Sequence, residues 1–105
     1  MLERMLIAGA VLITLSGTAA AQGSCNAAGQ TALDAGDGLA AVNAWLPCAQ
    51  AGDTEARYRL ASAYVVSGDI AAAIHWLDLA ISEARQWSPQ PAWLSDAIDF
   101  REYLG

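Results

Sequence analysis

The stretch from Trp45 to Ala80, WLPCAQAGDTEARYRLASAYVVSGDIAAAIHWLDLA, decides the fold of this chain. Small residues recur at spacings of three and four, aromatic residues stand between them, and Gly-Asp dipeptides punctuate the pattern. This spacing is typical of helices that approach each other closely. Because the turns between them are short, consecutive helices have to lie antiparallel. The stretch therefore predicts a helix-turn-helix unit.

The first helix of this unit is predicted to run from about Thr54 to Ser67. Asp53 or Thr54 can cap its N-terminus and Gly68 can end it, while Asp69 can cap the second helix. Side chains at spacings of three and four give each helix one apolar face. In the first helix these are Ala56, Tyr58, Leu60, Ala61, Tyr64 and Val65; in the second they are Ala73, Ile74, Trp76, Leu77, Ala80 and Ile81.

A similar pattern occurs one unit earlier in the chain. Gly36-Asp37 precedes AAVNAWL, much as Gly68-Asp69 precedes AAAIHWL. Trp45 and Trp76 are 31 residues apart, as are the pairs Leu46 with Leu77 and Ala49 with Ala80. A fixed period of this size indicates stacked helical repeats, in which both tryptophans pack between helices.

The segment AWLPCAQAGDTEARYRLASAY, from Ala44 to Tyr64, resembles the Sel-one-like repeat family, in which W-x-P-x-A-x-x-G-D recurs before alanines, Leu and Tyr. From Leu60 onward the chain is more similar to the parent tetratricopeptide repeat. The matching positions are Leu60, Ala61 (at the usual glycine), Tyr64, Gly68, Ala73, Leu77, Ala80 and Ile81. The longer Gly-rich loop of the Sel-one-like pattern is missing after Tyr64. The resemblance implies an α-solenoid that acts in protein–protein contacts, often in the cell envelope.

One single proline and one pair of prolines interrupt the helical pattern. Pro47 lies near the end of a helix, where a kink or early termination is expected. The run WSPQP, residues 87–91, breaks the chain before a last helix from about Ala92 to Tyr103. This capping helix would turn Trp93, Leu94, Ala97, Ile98 and Leu104 inward and Asp96, Asp99 and Glu102 outward. The prediction is an all-α, short antiparallel helix-hairpin solenoid of about five helices.

Residues 1–21 have the three parts of a secretory signal peptide. Arg4 precedes an apolar run over 6–15, and Ala19 and Ala21 stand at the small positions before a cleavage site. The alternative is a retained membrane anchor, although the 17 residues of 5–21 are fewer than the roughly 20 that a spanning helix needs. We therefore expect a periplasmic or secreted protein with one domain over residues 22–105.

The acidic composition of the chain disfavours some classes of binding partner. The chain has a formal net charge of −6 and all five of its basic residues are arginines. Removing residues 1–21 takes away Glu3 and Arg4 and so leaves this charge unchanged. Nucleic acids and anionic membranes are polyanions, so this charge disfavours both as partners.

Cys25 and Cys48 are the only cysteines. Their midpoint falls in the Gly36-Asp37-Gly38 turn, so an antiparallel hairpin would bring them opposite each other. In an exported chain this arrangement predicts a disulfide that stabilises the fold by about 3 kcal/mol. A catalytic or metal-binding thiol is the alternative, but the chain has one histidine and no C-x-x-C motif.

No pattern indicates a catalytic, cofactor or metal site. His75 is interpreted as a partly exposed helix residue, with proton transfer as the alternative. Asp37, Asp53 and Asp69 follow glycines in turns, where helix capping explains them. Asp34 to Gly38 lacks the ligand spacing of a calcium loop.

Arg57, Tyr58, Arg59 and Trp87 are the candidate partner-binding residues, because aromatic residues and arginine are enriched at interaction hot spots. Ordinary packing against a neighbouring helix is the alternative for them. We expect an exported, non-enzymatic module that binds a protein or peptide on its concave face. Two alternatives stay open: a small hydrolase or hydrolase cofactor that acts on envelope polymers through His75, and a structural envelope protein that self-associates through exposed repeat ends.

Overall fold

The computed structural model describes residues 25–105, and all regular structure in that range is helical, with five helices and no strand. The helices are α1 over 25–34, α2 over Gly38–Gln50, α3 over Thr54–Ser67, α4 over Ile70–Ala84 and α5 over Leu94–Leu104. The predicted all-α class is confirmed for these residues. The proposed signal peptide, residues 1–21, lies outside the described range.

The three Gly-Asp turns that begin α2, α3 and α4 share one structure. In each turn the Asp carboxylate accepts a hydrogen bond from the backbone N–H three residues later, at 3.0 to 3.1 Å. The preceding glycine has a φ between 75° and 104°, the left-handed region that glycine enters at little cost. Because the capping residues are Asp37, Asp53 and Asp69, these helices begin at intervals of 16 residues.

These helix starts change the repeat register that the sequence predicts. The capping residues of α2 and α4 are 32 residues apart, so Trp45 corresponds to Leu77 and not to Trp76. Burial agrees, since Trp45 is 1% exposed and Leu77 is 0% exposed, whereas Trp76 is only partly buried. The predicted equivalence of Trp45 with Trp76 is therefore wrong by one residue. The extra residue follows the turn of α2, where Gly38 precedes Leu39.

Consecutive helices pack against each other, and their buried residues form two clusters. The N-terminal cluster comprises Ala41, Val42, Trp45, Cys48, Ala49, Ala56, Leu60 and Ala63, with Cys25, Ala32 and Leu33 of α1 packed against it. The C-terminal cluster comprises Ala61, Ala73, Leu77, Ile81, Ala84, Leu94 and Ala97. Helix α3 contributes to both, and its partly buried Tyr64 contacts both clusters. Helix α3 therefore joins the two halves of the molecule.

Two glycines allow the helices of the N-terminal half to approach closely. A Cβ atom at Gly29 of α1 would lie 2.3 Å from Cε2 of the Trp45 ring. At Gly38, the start of α2, it would lie 2.5 Å from the backbone nitrogen of Ser67 at the end of α3. Any side chain at either position would force the helices apart.

The helix ends differ from the predictions in two places. Helix α2 includes Pro47 and continues to Gln50, so of the two outcomes expected there, a kink or an early end, the early end does not occur. Pro47 cannot donate to the carbonyl of Asn43, but both residues are exposed and water can reach that carbonyl. Helix α5 begins at Leu94 and not at Ala92, because the N–H of Leu94 bonds to the Pro91 carbonyl in a turn that precedes the helix.

Candidate functional site

The disulfide predicted from the two cysteines is present in the structure. A disulfide joins Cys25, in the first described turn of α1, to Cys48 near the end of α2, and their Cα atoms are 6.6 Å apart. The bond ties the outer ends of the first two helices, and neither cysteine is free. Such bonds persist in oxidising compartments, which fits an exported protein.

Arg57, one of the candidate partner-binding residues, is held inside a network that joins three helices. Its Nε donates to the carbonyl of Ala49 at 2.9 Å, and its Nη1 lies 2.6 Å from Oε1 of Glu83. Oγ1 of buried Thr54 donates to the same carboxylate oxygen at 3.3 Å. The Arg57 side chain is only 16% exposed. The structure therefore gives it a role in joining α2, α3 and α4.

Tyr58 lies in an aromatic cluster where α3 meets the start of α5. Its ring stacks on that of Trp93, with centroids 4.9 Å apart and planes 8° apart. The ring of Trp87 meets Trp93 edge to face, with centroids 6.2 Å apart. Trp87 remains 43% exposed. We call Tyr58, Trp87 and Trp93 the aromatic junction.

Charged side chains surround the phenol of Tyr58. Burial raises its pKa above the ordinary 10.0, and the nearby carboxylates of Asp96 and Glu55 raise it further, while Arg59 opposes them. Arg59 itself donates from Nε to Oε2 of Glu55 at 2.9 Å along α3. The aromatic junction is therefore bordered by one ion pair and by the first carboxylate of α5.

The outward face of α5 carries the acidic residues that the sequence places there. Asp96, Asp99 and Glu102 are exposed, and Tyr103 beside them is 87% exposed. The opposite face packs on the C-terminal cluster: Leu94 and Ala97 are buried, and Trp93, Ile98, Phe100 and Leu104 are partly buried. The predicted orientation of this helix is confirmed.

His75 is exposed on α4, and its ring meets Trp76 edge to face with centroids 5.4 Å apart. In the described part of the chain it accepts or donates no hydrogen bond to a carboxylate or hydroxyl. Residues 25–105 also contain no group of three metal-ligating side chains. Among residues 25–105, His75 thus has no carboxylate or hydroxyl partner that could orient it for proton transfer.

The remaining repeat positions are mostly buried where the pattern puts them. Ala56, Leu60, Ala73, Leu77 and Ala80 are buried, while Tyr64 and Trp76 are partly buried. Gly68 ends α3 with a φ of 91°. Sequence reasoning placed Trp93 inward but missed that it joins Tyr58 to Trp87. The sequence signal for this contact is that one tryptophan stands on each side of the two prolines.

None of the helices in residues 25–105 combines the length and the hydropathy that crossing a lipid bilayer requires. No protein-family model, no curated protein and no solved structure matches this chain.

Proposed function

We propose that this protein is an exported, non-enzymatic module that binds a protein or peptide through the aromatic junction. Its helices would form a short antiparallel hairpin solenoid, as in the tetratricopeptide and Sel-one-like repeat proteins that its sequence resembles. Its site of action would be the periplasm, the cell envelope or the extracellular medium, after removal of residues 1–21.

The helix arrangement supports the solenoid. Three helices start at even 16-residue intervals after identical Gly-Asp caps. Three pairs of equivalent positions in α2 and α4 are buried alike: Ala41 with Ala73, Trp45 with Leu77, and Ala49 with Ile81. Helix α3 packs on both neighbours, so each added helix extends the previous pair. In repeat proteins, units that contact only their neighbours present an extended surface for binding.

The single observation that carries the binding proposal is the exposure of Trp87 on a fixed aromatic base. Trp87 meets Trp93, which in turn stacks on Tyr58 of α3, so a rigid helix supports the exposed ring. A large side chain held in one place loses little conformational entropy when a partner covers it. Exposed tryptophans and tyrosines of this kind dominate the free energy of many interfaces.

Export is supported by the Cys25–Cys48 bond and by the signal-like composition of residues 1–21. Fractionation of cells that produce the full chain tests this part. The expected result is a disulfide-bonded protein that begins at Gln22 in the periplasm or medium. A reduced, full-length protein in the cytosol would contradict export.

Binding is tested by capturing partners from an envelope extract on the immobilised protein. The variant Trp87→Ala removes the exposed ring, and Leu79→Ala is its matched control because Leu79 is an exposed apolar residue on α4. We expect the wild type and Leu79→Ala to retain the same proteins and Trp87→Ala to lose them. Equal capture by all three would contradict a role for the aromatic junction.

A second candidate function is structural self-association. Exposed Leu39, Val66 and Ile70 lie at the start of α2, the end of α3 and the start of α4. These ends are adjacent, since Gly38 approaches the backbone of Val66 and Ser67. Light scattering over a range of concentrations tests it: a rising mass that Val66→Ser abolishes would favour this function, and a constant monomer mass would exclude it.

A further inference from the structure

Three carboxylates on α5 differ from every other acidic side chain in residues 25–105. The other seven have an intramolecular partner: Asp37, Asp53 and Asp69 cap helices, Asp34 accepts from Gln30, and Glu55, Asp78 and Glu83 pair with arginines. In the same range the carboxylates of Asp96, Asp99 and Glu102 have neither a hydrogen bond nor an ion pair. We call these three residues the acidic stripe.

Residues 25–105 have almost no spare positive charge that could neutralise the acidic stripe. Arg57, Arg59 and Arg101 are already paired with carboxylates, and the sequence contains no lysine. Arg85 lies in the turn after α4 and is exposed. The acidic stripe is therefore a face of unneutralised charge on a helix that is otherwise well packed.

The acidic stripe is continuous with the aromatic junction. Asp96 lies three residues after Trp93, about one helical turn along α5, and the ring of Trp93 stacks on Tyr58. Residues 96, 99 and 102 are spaced three apart, so they follow one side of α5 away from the junction. Exposed Tyr103 lies on the same outward side, seven residues after Asp96, and adds aromatic area next to Glu102.

We infer that the partner of this surface is a cationic peptide segment with an apolar anchor. Its anchor side chain would cover Trp87, and its arginine or lysine side chains would follow the acidic stripe. This inference rests on the proposed function and assigns its partner a chemical class. A second copy of the chain fits poorly here, because it would bring a like-charged face to the same place.

The test is titration of the full processed chain with a synthetic 12-residue peptide that carries one Trp and four arginines. A second peptide replaces each arginine with glutamate. Isothermal titration at low and high salt gives the affinities. We expect only the cationic peptide to bind, and its affinity to fall as salt rises, because these exposed charges are screened.

Variants of the acidic stripe test whether its charges provide the affinity for the cationic peptide. The triple change Asp96→Asn/Asp99→Asn/Glu102→Gln should weaken binding by about tenfold or more and remove most of the salt dependence, since each exposed pair contributes about two- to fivefold. Asp99→Asn alone should weaken it about threefold. Asp34→Asn removes the same charge far along the chain on α1 and should leave the affinity unchanged. Circular dichroism checks that all variants remain folded.

Three results would overturn this inference: equal binding of the glutamate peptide, unchanged affinity of the triple variant, or equal weakening by Asp34→Asn. Concentration-dependent self-association that the triple variant enhances would instead assign this face to a second copy, and would also overturn it. Envelope capture distinguishes the two proposals. If Trp87→Ala still abolishes capture but the cationic peptide does not bind, only the assignment of a cationic partner fails.

Discussion

The two halves of this molecule are stabilised by different means. The N-terminal half places small residues around Trp45 and closes the outer ends of α1 and α2 with a disulfide. The C-terminal half has no covalent link in the described residues and uses larger aliphatic side chains, an aromatic stack and the Arg101–Asp78 ion pair. The aromatic ring at the centre of the N-terminal half is buried, whereas the C-terminal half has aromatic rings and carboxylates at its surface.

This difference indicates a division of roles. A covalently closed half provides a fixed support, while the other half can leave side chains exposed for a partner. The exposed Arg101–Asp78 pair contributes only about 0 to 1 kcal/mol, and the Tyr58–Trp93 stack about 0.5 to 1.5 kcal/mol. Apolar burial around Leu77 must therefore provide most of the stability of the C-terminal half.

The largest expected effects come from emptying the centre of each cluster. Trp45→Ala should lower the free energy of unfolding by about 3 to 5 kcal/mol, and Leu77→Ala by about 2 to 5 kcal/mol, because each leaves a cavity in a fully buried site. Trp76→Ala should cost less than Trp45→Ala, since Trp76 is only partly buried. Urea denaturation measures all three. A larger loss for Trp76→Ala would restore the 31-residue register and contradict the 32-residue one.

Removing the disulfide should affect mainly the N-terminal half. Cys25→Ser/Cys48→Ser opens a link between residues 23 apart and should lower the free energy of unfolding by about 3 kcal/mol. Hydrogen exchange should speed up first in α1, which is attached only to this half. If α5 exchanged faster to the same extent as α1, the disulfide would stabilise both halves alike, which would contradict the difference between them described above.

Replacing either of the two arginines of α3 should lower the stability by a smaller amount, and the two variants can be compared directly. Arg57→Met should cost about 1 kcal/mol, because it removes the charged donor of the Ala49 carbonyl and of the Glu83 carboxylate. These two acceptors then keep neutral donors, the Gly52 N–H and the Thr54 hydroxyl respectively. Arg59→Met breaks only an exposed pair one turn apart on α3 and should cost about 0.3 to 0.5 kcal/mol. Thermal unfolding of the two variants shows which of them loses more stability. Equal losses would mean that the network between helices is no stronger than a surface pair.

The smallest expected effect is the pH dependence due to Tyr58. Its pKa is raised in the folded protein, chiefly by burial and then by Asp96, so the unfolded chain loses the phenolic proton first. The stability linked to this group is therefore complete below pH 10 and falls as pH rises through the folded pKa. The absence of lysine and the high pKa of arginine leave this range free of basic side chains that titrate.

Urea denaturation of the wild type and Tyr58→Phe between pH 8 and pH 11 measures this effect. The loss of stability above pH 10 should be smaller in Tyr58→Phe. An identical decline in both proteins would show that the phenol is not perturbed by folding.

The helix pattern was predictable from sequence because its determinants are local. Each capping aspartate and the glycine before it act within a few residues, so Asp53 and Gly68 defined the bounds of α3 correctly. The pairing of Cys25 with Cys48 also followed, since hairpin symmetry needs only the position of the turn.

The register and the surface chemistry were less predictable because they depend on contacts between distant residues. Gly38 adds one residue after the first turn, and its close approach to Ser67 is visible only in three dimensions. Likewise, nothing local shows that Arg57 reaches Glu83, 26 residues away, while Arg59 stays on its own helix. The meeting of Tyr58 with Trp93 depends on how the segment from 85 to 93 turns back.

The four tryptophans allow the most direct test, because Trp45 and Trp76 contribute to or pack against the N-terminal cluster, whereas Trp87 and Trp93 form part of the aromatic junction. Nitrogen-15 spectra of the indole N–H groups, assigned with single Trp→Phe variants, can be followed as the cationic peptide is added. Binding at the aromatic junction predicts that the signals of Trp87 and Trp93 shift while those of Trp45 and Trp76 stay in place. Shifts confined to Trp45 or Trp76, or equal shifts of all four, would contradict it.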